Sequence, residues 1–284
     1  MIDIKDYQCD FENKWCPGCG NFNILEAMKD ALVHLGLAPE KVLIVSGIGQ
    51  AAKTPHFLKC NFFHGLHGRA LPVATGAKIA NHELTILVNS GDGDAYGEGG
   101  NHFINAIRRN IDITLLVHNN KVYGLTKGQA SPTSDVGFTT RMQWQGVISE
   151  PFNPLTAALA LGAGFVARGF SGDVEGLSAI IQAAVSYRGF SLIDILQPCV
   201  SFNTVNTHAW YKKRVKNLAD AGYAPDDPEK AMRVARQWGD EIPVGIMYQQ
   251  GKISFTDRIP RLASKTLISG EFNRAAAASL MASA

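Results

Sequence analysis

The chain has 284 residues, 46% hydrophobic and 18% charged, with a formal net charge of +2. That balance excludes collagen-like, low-complexity and wholly disordered classes, and it lacks the basic footprint of a nucleic-acid binder. A chain of this length hides about 75% of its unfolded surface, so its core needs no disulfide staples.

The opening segment, MIDIKDYQCDFENKW, is mixed and charged, with no apolar stretch of the kind a signal peptide needs. The longest apolar run, Leu155 to Val166, is about half of the roughly 20 residues of a membrane span and contains glycines. The expectation is a soluble cytoplasmic protein that binds neither membrane nor nucleic acid.

Apolar residues at helical spacing begin at Phe22 and run to Leu37 (Leu25, Met28, Leu32, Leu35). Lys41 to Ser46 then carries VLIV, a continuous apolar run that suits a strand buried on both faces. The same pattern recurs at Leu84–Val88, Ile113–Val117, Phe165–Arg168 and Ser191–Leu196. Helix-period segments lie between them, at Leu71–Ala80, Asn101–Arg109, Pro154–Leu161 and Val174–Tyr187. This alternation predicts an α/β fold, a parallel sheet with helices on both faces. After Cys199 the pattern weakens: His208–Lys216 and Pro228–Trp238 read as helices and Val244–Tyr248 as a strand. Residues 1–220 are therefore expected to form one α/β domain with an N-terminal cysteine loop. Residues 221–284 are expected to be a C-terminal extension for packing or for contact with another subunit, with the tail AAAASLMASA frayed.

Parallel sheets place ligands outside the carboxyl ends of their strands, where two unusual polar loops lie here. One is Ser90-Gly91-Asp92-Gly93-Asp94 and the other Asn119-Asn120-Lys121. Glycines on either side of Asp92 let the backbone bend tightly and present bare N–H groups to an anion. Asp92 and the side-chain carbonyl of Asn120 are hard oxygen donors, suited to a Mg²⁺ that also takes diphosphate oxygens. A helix beginning near Gly99 would direct its positive end at the same place. GD and NN are also common turn dipeptides. It is the GDG, helix, strand, NN order that lifts them above that reading. The order resembles the thiamine diphosphate signature, which implies Asp92, Asn120 and the carbonyl of Val122 as Mg²⁺ ligands.

Five cysteines, odd in number and unevenly spaced, argue for metal or redox use. Cys16-Pro17-Gly18-Cys19 after Trp15 looks like a thioredoxin active site, but that motif follows a buried strand and the preceding FENK is polar. It is equally half of a structural zinc site, though no second close pair exists. An iron–sulfur cluster can draw thiolates from distant loops, and Cys199, after SLIDILQ, is a natural third.

Six segments, WCPGCGN (15–21), SGIG (46–49), HGRALPVATG (67–76), GDGD (91–94), NNKVYGLTKGQASPTS (119–134) and QPCVSFN (197–203), occur in this order. Together they resemble the β subunit of the 2-oxoacid:ferredoxin oxidoreductases over roughly residues 10 to 215. The resemblance implies the thiamine diphosphate-binding fold, with thiamine diphosphate and Mg²⁺ and, as in many members, one [4Fe–4S] cluster on four cysteines. It implies cofactor contacts from Gly47, Ile48, Gly49, His67, Gly91, Asp92, Gly93, Asp94, Asn120, Val122, Gly124 and Leu125. His67 and Lys127 become candidate catalytic residues, Lys127 as a cation that meets the carboxylates of a 2-oxoacid. His64 and Lys53 are weaker candidates of the same kinds. The form LTKGQxSPT favours 2-oxoglutarate as the substrate.

One departure matters. The family usually writes GIGC, its cysteine a cluster ligand, where this chain has Gln50. Cys16, Cys19 and Cys199 still match, and Cys60 is the first candidate for the fourth ligand, with Cys9 the other. A free cysteine is commonly just a small core residue. The basic run Lys212, Lys213, Arg214 and Lys216 reads as a solvated helix face, or as a steering patch for an acidic ferredoxin. The resemblance further implies oxidative decarboxylation of a 2-oxoacid with coenzyme A, or its reverse, and electrons passed to ferredoxin. It also implies an α subunit that supplies the carboxylate on the aminopyrimidine and much of the coenzyme A site. Two other readings stand beside it: a non-redox thiamine diphosphate decarboxylase or synthase half, needing no cluster, and a zinc-stabilised interaction subunit without activity.

Overall fold

The computed structural model describes residues 2–262, 265–270 and 274–282. Ten strands are present among them: β1 (Val42–Ser46), β2 (Asn61–His64), β3 (Thr85–Gly91), β4 (Ile113–Asn119), β5 (Val122–Tyr123), β6 (Gln129–Ala130), β7 (Phe165–Phe170), β8 (Phe190–Leu196), β9 (Val215–Asn217) and β10 (Ile242–Gln249). The helices are α1 (Asn21–His34), α2 (Ala70–Ala80), α3 (Gly100–Arg109), α4 (Pro154–Ala160), α5 (Val174–Ser186), α6 (His208–Lys212), α7 (Pro228–Ala235) and α8 (Arg274–Ala282). Eight strands form one sheet in the order β2-β1-β3-β4-β8-β7-β10-β9, and β5 and β6 form a small separate ribbon.

The apolar runs are continuous because both faces of the sheet are covered. On β4, Leu115 and Val117 enter one core with α2, α3 and α4, while Leu116 between them enters the other with α1 and α5. Strand β3 divides the same way, Ile86 and Val88 to the first core and Leu87 to the second. Every residue of β4 and β8 is buried. Side-chain caps start several helices: Asn153 accepts from the Leu155 and Thr156 amides at α4, and Asp173 from Gly176 at α5. Such caps satisfy amide groups that the first helical turn leaves unpaired.

From β1 the chain passes outward to β2 at the sheet edge, then returns to β3 on the other side of β1. The gap between β1 and β3 is thus a topological switch point, the place where such sheets open a crevice. The loops after β1, β3, β4 and β8 all emerge on that end.

Three local expectations change. Strand β10 runs antiparallel to β7, so the sheet is mostly rather than wholly parallel, and the stretch from residue 221 adds this strand to the main sheet. The helix expected over His208–Lys216 stops at Lys212, and Val215–Asn217 pairs with β10 instead. The helix expected near Gly99 is present as α3, and a wide π-type turn over Gly93–Glu98 precedes it, so helical backbone begins at the GDGD loop itself. The tail expected to fray is helical over Arg274–Ala282, its last two residues lying outside the described ones. No helix among the described residues is long and apolar enough to cross a membrane.

Candidate active site and the cysteine pocket beside it

Asp94 holds three segments together from a fully buried position. One oxygen accepts the amides of Ile48 (3.1 Å) and Gly68 (2.7 Å), and the other accepts the Ser90 hydroxyl. The loop after β1, the turn before α2 and the loop after β3 are thereby joined at one carboxylate. Gly47 makes this approach possible, since a Cβ there would stand 2.2 Å from Asp94 Oδ2. Gly93 has a similar reason, because a Cβ would meet the Tyr123 ring at 2.2 Å. The GDGD glycine is thus needed for packing as well as for bending.

Asp92 is also buried, with Oδ2 accepting the hydroxyls of Ser131 (2.5 Å) and Thr133 (2.7 Å). Burial pushes its carboxyl upward and the two hydroxyls oppose that shift. Thr133 is also in hydrogen-bond contact with Asn119 Oδ1, whose amide reaches both oxygens of Asp194 at 3.2 Å. Burial raises Asp194 to about 6, against the Arg168 charge and donation from Tyr96 and Asn119. Behind this network Lys121 pairs with Asp135 and lies 4.3 Å over the Trp238 ring. These polar groups brace the strand ends that present Asp92 and Asn120.

Asn120 folds its turn back on itself: Oδ1 accepts the Val122 amide at 3.0 Å, while Lys121 takes the left-handed backbone (φ 61°). One cleft is lined by Ile48, Gly49, His67, Gly91–Asp94, Asn120, Val122 and Gly124–Thr126. Asp92, Asn120 and Val122 thus line one cleft, and a carboxylate, a side-chain amide and a backbone carbonyl are hard oxygen donors of the kind Mg²⁺ takes. His67 stands at the mouth, Nε2 3.4 Å from Glu98 and 3.7 Å from Asp94.

A second cavity opens beside the first. It is lined by Trp15, Cys16, Cys19, Cys199, Gln197 and, shared with the cleft, Gln50, Asn120 and Gly124. The Trp15 indole donates to the Gln50 carbonyl at 2.8 Å, binding the cysteine loop to the loop after β1. Gln197 spans the two cavities: its amide nitrogen contacts Cys19 Sγ at 3.4 Å and its oxygen accepts Asn120 Nδ2 at 3.1 Å. Ser201 donates to Cys16 Sγ at 3.2 Å. Burial raises the Cys19 thiol to about 11, with the Asn21 amide opposing. Three thiols thus line one pocket, and among the described residues no three histidine, cysteine or carboxylate side chains are grouped so as to hold a metal ion.

Cys60 is not with them. It precedes β2 at the opposite end of the sheet, packs into the core and donates to the Asn61 carbonyl at 3.3 Å. Burial pushes its thiol up to about 12. The Cys9 thiol is directed at the His56 carbonyl. Lys127 is exposed on a left-handed turn (φ 76°) and does not line the cleft, and Lys53, half-buried, does not line it either. His64 is held by Ser46 and the Ala52 carbonyl. In the basic run, Lys212, Lys213 and Lys216 are exposed, whereas Arg214 lies over Trp210. Ser131, Thr133 and Gln197 escape the sequence reading, although Ser131 and Thr133 sit in SPTS and Gln197 immediately precedes Pro198-Cys199.

Comparison with known proteins gives the family and the fold. Residues 45–195 match the thiamine pyrophosphate enzyme C-terminal TPP binding domain, and residues 199–264 match the C-terminal region of the pyruvate ferredoxin oxidoreductase β subunit. The chain is 47% identical over 254 residues to a 2-oxoacid:ferredoxin oxidoreductase subunit β of Saccharolobus solfataricus, covering 85% of this chain and 83% of that one. It is 47% identical over 199 residues to the 2-oxoglutarate oxidoreductase subunit KorB of Mycobacterium tuberculosis, covering 70% and 53%. A solved structure of 2-oxoglutarate:ferredoxin oxidoreductase from Magnetococcus marinus, with 2-oxoglutarate, coenzyme A and succinyl-CoA bound, superposes with a TM-score of 0.91. That match is at 33% identity and covers 98% of this chain and 96% of that one.

Proposed function

The chain belongs to the β subunits of the 2-oxoacid:ferredoxin oxidoreductases, and on that premise we propose how its two cavities divide the work. The cleft takes thiamine diphosphate and Mg²⁺, and the cysteine pocket takes an iron–sulfur cluster that passes electrons toward ferredoxin. The substrate is a 2-oxoacid with coenzyme A. 2-Oxoglutarate is favoured by the LTKGQxSPT form, by the name of the M. tuberculosis relative and by the ligands of the M. marinus structure. The site is completed by an α subunit, which supplies the carboxylate on the aminopyrimidine and much of the coenzyme A site.

When bound, thiamine diphosphate supplies a thiazolium ring that serves as the electron sink for loss of CO₂. This chain's part is to hold and orient. Asp92, Asn120 and the Val122 carbonyl hold Mg²⁺, and the Asp92 charge, confined in a dry site, strengthens that hold. Gly49, Gly91 and Gly93 line the cleft and would let the diphosphate approach the backbone with no side chain in the way, while the Ile48 amide stays with Asp94. His67 offers a proton or a hydrogen bond at the cleft mouth, kept there by Asp94 and Glu98. Lys127, on the exposed rim, serves as the counter-charge for the distal carboxylate of a dicarboxylic substrate.

The wall of Gln50, Asn120 and Gly124, common to the cleft and the thiol pocket, is the observation that carries this reading. A non-redox thiamine diphosphate enzyme has no use for thiols at that distance from its cofactor. Asp92→Asn, which keeps the shape and one acceptor oxygen, tests the metal assignment directly. Titration calorimetry on the complex with its α subunit should show thiamine diphosphate–Mg²⁺ binding weakened about 100-fold, or ~3 kcal/mol. Unchanged affinity removes the reading.

A further inference from the structure

The thiol pocket has three cysteines where a [4Fe–4S] cluster in its usual form takes four. Cys16 and Cys19 are held by the CPGC turn, where the Cys19 amide donates to the Cys16 carbonyl at 2.9 Å. Cys199 follows β8 and lines the same pocket, as does Gln50, which stands where the family's GIGC pattern has its fourth cysteine. Neither other cysteine lines that pocket. Asn61 of β2 pairs in parallel with Leu43, near the start of β1, and Gln50 lies beyond the end of β1 at Ser46. Cys60 is therefore displaced by the length of the paired strands, roughly 13 Å at about 3.3 Å per residue. Its place in the core, among residues packed around Tyr7, Ile44 and Leu58, makes that distance fixed. Cys9 is tied to the His56 carbonyl and is not part of the pocket wall.

We propose that this chain holds its cluster by three thiolates, Cys16, Cys19 and Cys199, and that the iron facing Gln50 carries an oxygen ligand instead of sulfur. The proposal rests on the iron–sulfur reading above. Its consequence is chemical. An iron without a thiolate anchor is the exchangeable corner of the cluster, and here that corner faces the wall shared with the cleft. One-electron oxidation of a [4Fe–4S]²⁺ cluster by ferricyanide then releases one Fe²⁺ and leaves [3Fe–4S]⁺, with the electron taken by ferricyanide. Adding Fe²⁺ and one reducing equivalent reverses the change.

The test uses the complex with its α subunit, purified without oxygen, and measures iron, acid-labile sulfide and low-temperature EPR during ferricyanide titration. The wild type should lose one iron per β chain and develop the near-isotropic signal of an oxidised three-iron cluster. Isotopically labelled Fe²⁺, added back under reduction, should enter a single site in the Mössbauer spectrum. Gln50→Cys should suppress the three-iron signal at least about tenfold, which assigns that signal to this pocket. Cys60→Ser and Cys9→Ser should titrate as the wild type does. A wild type that keeps its fourth iron through the titration overturns the proposal. So does loss of the cluster in Cys60→Ser or Cys9→Ser. Absence of iron and sulfide in the wild type would overturn the iron–sulfur reading with it, whereas the Asp92→Asn binding experiment would still stand on its own.

Discussion

The cleft and the thiol pocket share a wall, yet they are built in opposite ways. In the cleft, the chain satisfies its own charges before any ligand arrives: Asp94 accepts from three separate segments and Asp92 from two hydroxyls. In the pocket, Cys16 and Cys19 each have one weak side-chain donor, and a single indole hydrogen bond joins the cysteine loop to the loop after β1. The difference follows from the donor atoms. Carboxylates, hydroxyls and amides can hydrogen-bond to one another and so pre-form a site, whereas a thiol is a weak donor and a weak acceptor. A thiol site is therefore shaped by its backbone and completed by what it binds, and part of the binding free energy becomes folding free energy.

The contrast can be broken most sharply at Gly47. Gly47→Ala places a methyl 2.2 Å from the Asp94 carboxylate, which is buried and bonded on both oxygens. Overpacking of this kind costs ~1–3 kcal/mol, and here it also spreads the three segments that Asp94 joins. Thiamine diphosphate affinity should fall about 100-fold, while cluster content changes little. Equal loss from both cavities would show that the two are not separately built.

A pH scan probes the ground beneath the thiol pocket. His118 on β4 is buried, with Nδ1 2.8 Å from Asn21 Oδ1 and Nε2 3.3 Å from Asn89. Burial lowers it to about 3, so the folded chain keeps it neutral while the unfolded chain takes a proton below about 6.5. This group's contribution is therefore complete above pH 6.5 and is lost progressively as the solution is acidified. At pH 5 the loss should be about 2 kcal/mol, and His118→Gln should flatten that part of the pH dependence in thermal unfolding. An unchanged slope in the variant would place the acid sensitivity elsewhere.

The smallest effect is expected at Trp15. Trp15→Phe keeps most of the buried ring and removes the donor to the Gln50 carbonyl, a loss of ~1 kcal/mol. Iron content should fall in the variant, and thiamine diphosphate affinity should hold. The reverse pattern would mean that the indole serves the cleft.

Much of the cleft is legible in the chain itself. Gly91-Asp92-Gly93 and Asn119-Asn120 are local patterns at the ends of apolar runs, and strands that short must return their ends to one side of the sheet. Ser131 and Thr133 could not be read in the same way, because a hydroxyl in a loop carries no signal of the carboxylate it will meet. Lys127 shows the converse: its place in the motif suggested the cleft, but a left-handed turn leaves it exposed on the rim.

The sequence by itself determined the strand–helix alternation, the glycine-flanked aspartate, the paired asparagines and the substitution of Gln50 in the GIG loop, since each is written in neighbouring residues. Only the tertiary structure decided which cysteines meet. Cys60 is ten residues from Gln50, yet a parallel strand carries it to the far end of the sheet. Cys199 is 149 positions beyond Gln50, yet β8 delivers it to the same pocket. Distance along a chain says little about distance in space once strands of about 3.3 Å per residue run side by side, and strand direction and order settle the rest.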